Sequence, residues 1–120
     1  KPGKPLMFAT YSKGVCFGMP GNPVSTYVLM ELLVKPFLLK SMGYRAQPHT
    51  VQMKLNKDLK IRGARRQTFI TVQLVDGGVE RIDFHGSAHI HAMCNADALV
   101  TLPEGENFYK AGSMIDVRLL

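Results

Sequence analysis

Gly18-Met19-Pro20-Gly21-Asn22-Pro23-Val24-Ser25 is the stretch on which the reading of this chain turns. Asn22 is a favoured N-cap, because its side-chain oxygen accepts from the free amides of a first helical turn. Pro23 at the first helical position sacrifices nothing, since that amide has no partner inside a helix. A helix is therefore expected from about Pro23 to Met42, closed by Gly43. It is apolar on nearly every side: Val24, Tyr27, Val28, Leu29, Met30, Leu32, Leu33, Val34, Phe37, Leu38 and Leu39. A surface helix would show a polar stripe, so this one is expected to lie buried against a sheet, with a second subunit as further cover. Pro36 removes one backbone hydrogen bond and is expected to kink or end the helix locally.

Upstream, Leu6 to Thr10 and Gly14 to Met19 are short apolar runs, each suited to a buried strand. Two strands cannot cover such a helix, so the rest of its sheet is expected upstream of Lys1 or in another chain. The opening Lys1-Pro2-Gly3-Lys4, which lacks a starting Met, agrees with a piece of something longer.

Downstream of Gly43 to Pro48 the period changes from helical to two. His49, Val51, Met53 and Leu55 alternate with polar residues, as do Ile70, Val72 and Leu74. Asp76-Gly77-Gly78 reads as a hairpin turn, returning through Val79 to Phe84. Ala98 to Leu102, ended by Pro103, and Ser113 to Leu120 with Ile115, Val117 and Leu119 inward complete about five strands. Ala88 to Ala96 reads as one or two helical turns. Short strands punctuated by turns make a small β-barrel or sandwich. The expected organisation is an α/β remnant, 1–46, followed by a small β-domain, 47–120.

With 46% hydrophobic and 20% charged residues, the 120-residue chain can bury a core, which excludes disorder as its main state. Fifteen Lys and Arg against nine Asp and Glu leave a net charge of +6, which favours an anionic partner. Cys16 and Cys94 are too few for a disulfide framework, so a reducing compartment is expected. The most apolar stretch, Val24 to Leu39, is interrupted by Glu31, Lys35 and Pro36 and falls short of a roughly 20-residue crossing. Neither a membrane association nor a signal peptide is expected.

Several residues could carry chemistry. Pro2 and Gly3 fit a type II turn that brings Lys1 and Lys4 together, an arrangement of like charges that makes most sense facing an anion. On the tetrapeptide alone a solvated turn is the plainer account. The Pro20–Pro23 loop opens a helix whose free amides suit an anion, and Ser25 could add a hydroxyl, although capping alone also explains the motif. Arg62, Arg65 and Arg66 form a basic knot before a strand, and the planar fork of Arg66 suits a tetrahedral oxyanion. A solubility role is the plainer reading of any one of these arginines.

His85, His89 and His91 lie near Cys94, but no second ligand group stands at zinc-site spacing, so no metal is expected within this chain. A small-residue turn offering the Ser87 hydroxyl is the simpler account of that run. No Gly-x-Ser-x-Gly elbow or catalytic cysteine context is present. Nucleic acid is not expected as a partner, because basic residues interleaved with stacking aromatics are lacking.

These pieces gain weight together. Lys-Pro-Gly-Lys-Pro at 1–5, Gly-Met-Pro-Gly-Asn-Pro-Val-Ser at 18–25, Gly-Ser-Ala-His-Ile at 86–90, Asn-Ala-Asp-Ala-Leu at 95–99 and Leu-Pro-Glu-Gly at 102–105 follow one order. In that order the chain resembles the C-terminal portion of the MoeA family of molybdopterin molybdenumtransferases, whose eukaryotic relatives include the gephyrin E domain. The resemblance implies that 1–46 is the end of a molybdopterin-binding, MogA-like α/β domain and 47–120 a C-terminal β-barrel like MoeA domain IV. It implies insertion of molybdate into adenylylated molybdopterin with release of AMP, assisted by Mg2+ whose ligands lie outside this chain. It also implies a cytoplasmic homodimer, with the molybdopterin adenylyltransferase as a further partner.

Carried over by position, Lys1 and Lys4 fall on lysines lining the molybdate site, and Ser25 on the serine after the loop. These three are the implied catalytic residues. Pro20, Gly21, Asn22 and Pro23 shape the pocket, while Arg66 and Ser87 are the contribution of the β-domain. Thr71 stands where relatives often carry a second basic residue. The fragment alone is not expected to turn over. The alternative is a non-enzymatic scaffold on the same fold, using the apolar helix and the β-domain as interaction surfaces.

Overall fold

The computed structural model describes residues 5–45, 47–61, 65–83 and 90–120. The chain divides into two compact units, one ending at Gln47 and the other running from Pro48 to Leu120.

In the first unit, β1 (Met7–Tyr11) and β2 (Gly14–Gly18) form an antiparallel hairpin, in register from Met7 opposite Gly18 to Tyr11 opposite Gly14. A helical stretch follows in three parts: α1 (Pro23–Leu29), a π-helical segment (Met30–Val34) and α2 (Lys35–Ser41). It runs almost as far as the sequence predicts. Its C-terminus is a Schellman motif, with Gly43 at φ +86°, its amide on the Lys40 carbonyl and the Tyr44 amide on that of Leu39, both at 3.0 Å. Pro36 does not end the helix: it is the second residue of α2, and the turn just ahead of it is π-helical. The Lys35 amide reaches back to the carbonyl of Met30, five residues away, in the π-helical segment just ahead of the proline. A proline ring clashes with the carbonyl four residues back, and a widened turn relieves that clash without stopping the helix.

Within this chain the short strands and the apolar helix are only partly covered. Every residue of β1 is exposed, and on the helix Val28 and Leu29 are buried while Met30, Leu33, Leu38 and Met42 lie open. A two-stranded ribbon can cover only one stripe of a helix. The seam runs through aromatic rings: Phe8 meets Phe17 across the hairpin at 5.1 Å, and Phe17 meets Phe37 edge-on at 5.4 Å.

The second unit contains β3 (Thr50–Leu55), β4 (Leu59–Lys60), β5 (Thr68–Val75), β6 (Gly78–Arg81), β7 (Ala98–Leu102), β8 (Phe108–Tyr109) and β9 (Met114–Leu119). Five of them close a barrel in the order β3-β6-β5-β7-β9, with β9 returning to β3. All its pairings are antiparallel except β3 with β6, and β4 with β8 forms a separate ribbon. The period-two pattern is realised in the core: Leu55, Ile70, Val72, Val79, Ala98, Val100, Leu102, Ile115 and Val117 pack together with Leu59.

Alternation fails at strand ends and on one outer face. Val51, Leu74 and Leu119 continue the inward rows yet are exposed, because they lie at the ends of their strands. Thr71 and Leu99 are cross-strand neighbours on the opposite face, and both are buried. The 3-10 turn Ile90–Asn95, which carries the buried Met93, packs against β5.

The Asp76-Gly77 turn joins β5 to β6 with positive φ at both residues, +47° and +74°, the type I′ geometry its sequence demands. Beside it the Asn56 side chain donates to the Val75 carbonyl at 2.8 Å and the Asn56 amide to that of Val79 at 3.0 Å. This approach leaves no room for a side chain at Gly78. A Cβ there would overlap the Asn56 Oδ1 and stand 2.6 Å from the Lys54 carbonyl, so the parallel seam that closes the barrel requires glycine.

Candidate functional site

The loop between β2 and α1 is built by its cap. Asn22 is extended (φ −79°, ψ 119°), and its Oδ1 accepts from the Ser25 amide at 3.1 Å. Its carbonyl accepts from the Thr26 amide at 2.9 Å, the first bond of the helix. Pro23 has no amide and Ser25's is taken, so Val24 alone among the first three helical residues keeps a donor for something outside. The cap therefore narrows the cradle of free amides that the sequence predicts.

What the turn does present is the Ser25 hydroxyl, half-buried and without a partner among the described residues. Pro20 is buried, while Gly21, Asn22 and Pro23 are exposed, and a Cβ on Gly21 would meet nothing within 4 Å. The surface at this turn is open and carries uncommitted donors, which suits an anion arriving from solvent. Thr26, which the sequence reading missed, donates its hydroxyl to the Pro20 carbonyl in a short hydrogen bond. Nothing in the residue type or spacing marks a threonine at that position as unusual. Tyr27, next along, has its phenol pushed above the ordinary value, first by burial and then by the Glu31 carboxylate, against an opposing effect of Lys35. It stays neutral at physiological pH.

In the barrel unit Arg66 lies at the bend leading into β5, where its carbonyl accepts from the Thr68 hydroxyl at 3.1 Å. Its side chain is exposed, and the guanidinium has no ion-pair partner among the described residues. Arg65 beside it is also exposed. Thr71 is buried, so that position offers a ligand nothing. Pro20, Gly21, Asn22, Pro23 and Ser25 thus come together on one turn of the first unit, and Arg66 heads a strand of the second. Lys1, Lys4, Arg62, Ser87, His85 and His89 lie outside the described residues. His91 and Cys94 are both exposed on the 3-10 turn.

Among the described residues no three His, Cys, Asp or Glu side chains converge as a metal site would require. A cleft of about 390 Å³ on the barrel unit is lined by three cations and three carboxylates with Leu55 and Leu59. Lys57 pairs with Glu80 at 2.6 Å and Arg81 lies 3.6 Å from Asp83, so much of its positive charge is answered internally. A cleft balanced in this way has little preference for an oxyanion. Tyr109, on the ribbon strand β8, has its phenol pushed up to about 12 by burial, with Glu106 adding to the effect.

Comparison with known proteins places the chain. The family model for the MoeA C-terminal region (domain IV) matches residues 52–120. A molybdopterin molybdenumtransferase from Staphylococcus epidermidis is 32% identical over 99% of this chain and 29% of its own length. One from Synechococcus elongatus is 31% identical over 100% of this chain and 30% of its own length. The crystal structure of a molybdopterin biosynthesis MoeA protein from Pyrococcus horikosii superposes with a TM-score of 0.84 at 27% identity, covering 99% of this chain and 29% of that one. The chain thus spans less than a third of the length of these relatives. No helix among the described residues is long and apolar enough to cross a membrane. On the match over 52–120 and the barrel that those residues build, this chain belongs to the MoeA family and carries its C-terminal region.

Proposed function

We propose that this chain is the C-terminal part of a molybdopterin molybdenumtransferase acting in molybdenum cofactor biosynthesis. The whole protein would insert molybdate into adenylylated molybdopterin and release AMP. The observation that carries the reading is the capped turn at Pro20–Ser25, where a hydroxyl and an amide remain uncommitted at an open helix start. The names of the relatives supply the substrate class.

Molybdate is a tetrahedral dianion, and its recognition needs fixed donors and positive charge. Ser25 donates its hydroxyl and Val24 its amide, and Arg66 brings a planar pair of donors. Lys1 and Lys4 add ammonium charge and Ser87 a second hydroxyl, while Pro20, Gly21, Asn22 and Pro23 shape the approach. These groups concentrate the oxyanion beside the dithiolene and offset charge as oxygen ligands are lost. In this reading 1–46 closes the molybdopterin-binding α/β domain and 47–120 is the barrel domain. Mg2+ is held by residues outside this chain, and the working protein is a cytoplasmic homodimer that receives its substrate from the adenylyltransferase.

The test is an anomalous-difference map from crystals of the full-length protein soaked in tungstate, an isosteric and strongly scattering oxyanion. A peak within hydrogen-bond reach of the Ser25 hydroxyl is the expected result. An empty turn at Pro20–Ser25, with the peak elsewhere or absent, overturns the site.

A further inference from the structure

Thr26 is the residue that ties the loop to the helix it precedes. Three hydrogen bonds cross the turn: the Ser25 amide to Asn22 Oδ1, the Thr26 amide to the Asn22 carbonyl, and the Thr26 hydroxyl to the Pro20 carbonyl. Only the last of these reaches past Asn22 to the buried start of the loop. Pro20 and Pro23 have no amides, so neither proline of the loop can be held by an N–H of its own. The carbonyl of Pro20 is the handle that remains, and Thr26 holds it.

We propose that Thr26 is a positioning residue for the oxyanion site. By fixing Pro20 it seats the exposed Gly21-Asn22-Pro23 turn over the helix start and sets the direction in which the Ser25 hydroxyl and the Val24 amide face a ligand. The proposal rests on the oxyanion reading of this loop given above. Thr26 itself has its hydroxyl committed to the backbone and touches no ligand. Its branched side chain has few rotamers, which makes the hold stiff. Valine keeps that shape but removes the donor and strands the Pro20 carbonyl, whereas serine keeps the donor.

The experiment uses Thr26→Val and Thr26→Ser in the full-length protein, with two readouts. Hydrogen exchange follows the Ser25 amide, which is bonded to Asn22 Oδ1, against those of Leu38–Ser41 as an internal reference, and calorimetry follows tungstate affinity. In the valine variant, exchange at Ser25 quickens, the reference amides are unchanged and tungstate binds roughly 2- to 10-fold more weakly. In the serine variant both readouts return towards the wild type. Unchanged loop exchange in Thr26→Val overturns the proposal, and so does quickened exchange with wild-type affinity, which would make the contact merely structural. If the wild type itself binds no tungstate, the oxyanion reading fails, and the exchange result alone then decides whether Thr26 sets the loop.

Discussion

The barrel and the hairpin–helix unit are made from similarly apolar segments, yet they end in opposite states. In the barrel five strands close on themselves, and Val72, Val79, Ala98, Val100 and Val117 lose all contact with solvent. In the first unit a single hairpin faces a helix that is apolar on nearly every side, and Phe8, Leu33, Leu38 and Met42 remain 54%, 41%, 50% and 70% exposed. Within these 120 residues, closure is what separates the two. A sheet that bends round to pair its own edges supplies the second face its side chains need, whereas a two-stranded ribbon covers only one stripe of the helix it meets. Apolar sequence states a demand for burial, and topology decides whether the same chain meets it.

The largest effect expected from that contrast is in cavity formation. Leu55→Ala in the barrel, where the side chain is 1% exposed, should cost about 2–5 kcal/mol, while Leu38→Ala on the helix, half exposed, should cost below about 1 kcal/mol in the 120-residue chain. Urea unfolding followed by amide exchange reads each unit by itself. Equal costs would break the comparison. A cost for Leu38→Ala that rises in the full-length protein would sharpen it, by showing that the helix finds its cover beyond these residues.

Two glycines give the next effect. Gly78→Ala forces a methyl group against the Lys54 carbonyl and the Asn56 side chain at the seam of the barrel, and overpacking of this kind costs about 1–3 kcal/mol. Gly21→Ala places its methyl in open space at an unstrained backbone position and should leave the thermal midpoint within about 1 °C. A Gly78→Ala protein as stable as the wild type would mean that the parallel β3–β6 pairing can shift, and that closure is looser than the seam implies.

Legibility in the sequence followed the same division. The barrel strands could be read because inward rows such as Ile70-Val72 and Ile115-Val117 carry a period of two, and because Asp76-Gly77 specifies its own turn. The rows misled at Val51, Leu74 and Leu119, since alternation states a face but not where the barrel stops. Leu99 and Thr71 were opaque for another reason: they face away from the inward rows and are buried all the same, on a face where the 3-10 turn packs against β5, and no local pattern announces that packing. In the first unit the Asn22 cap and Gly43 stop were legible as local chemistry. The π-helical answer to Pro36 was not, because a proline states that a bond is lost and not how the backbone accommodates the loss. At the candidate site, donor types were legible and their availability was not. The same Asn22 oxygen that identifies the helix start also takes the Ser25 amide, and the Thr26 hold on Pro20 has no sequence signature.

The smallest effect distinguishes the two units by pH. Burial raises the phenol of Tyr109 to about 12 and that of Tyr27 in the same direction, so each native state holds its proton more tightly than the unfolded chain does. For a group raised in this way the stabilising contribution is complete below the unfolded value near 10 and is lost as pH climbs through the native one. Stability should therefore fall between about pH 10 and 12, a window in which lysines also titrate. Phenylalanine variants isolate the tyrosine contribution. Tyr109→Phe should flatten part of that fall in the barrel, where burial and Glu106 act in the same direction. Tyr27→Phe should flatten it less, because Lys35 opposes burial and Glu31 there. Lys35→Ala removes that opposition, so in this variant Tyr27 should titrate higher still by ultraviolet absorbance at alkaline pH. A Tyr27 titration unmoved by Lys35→Ala would mean that the helix face is too well solvated for its charges to matter, which would widen the difference between an enclosed barrel and an open helix.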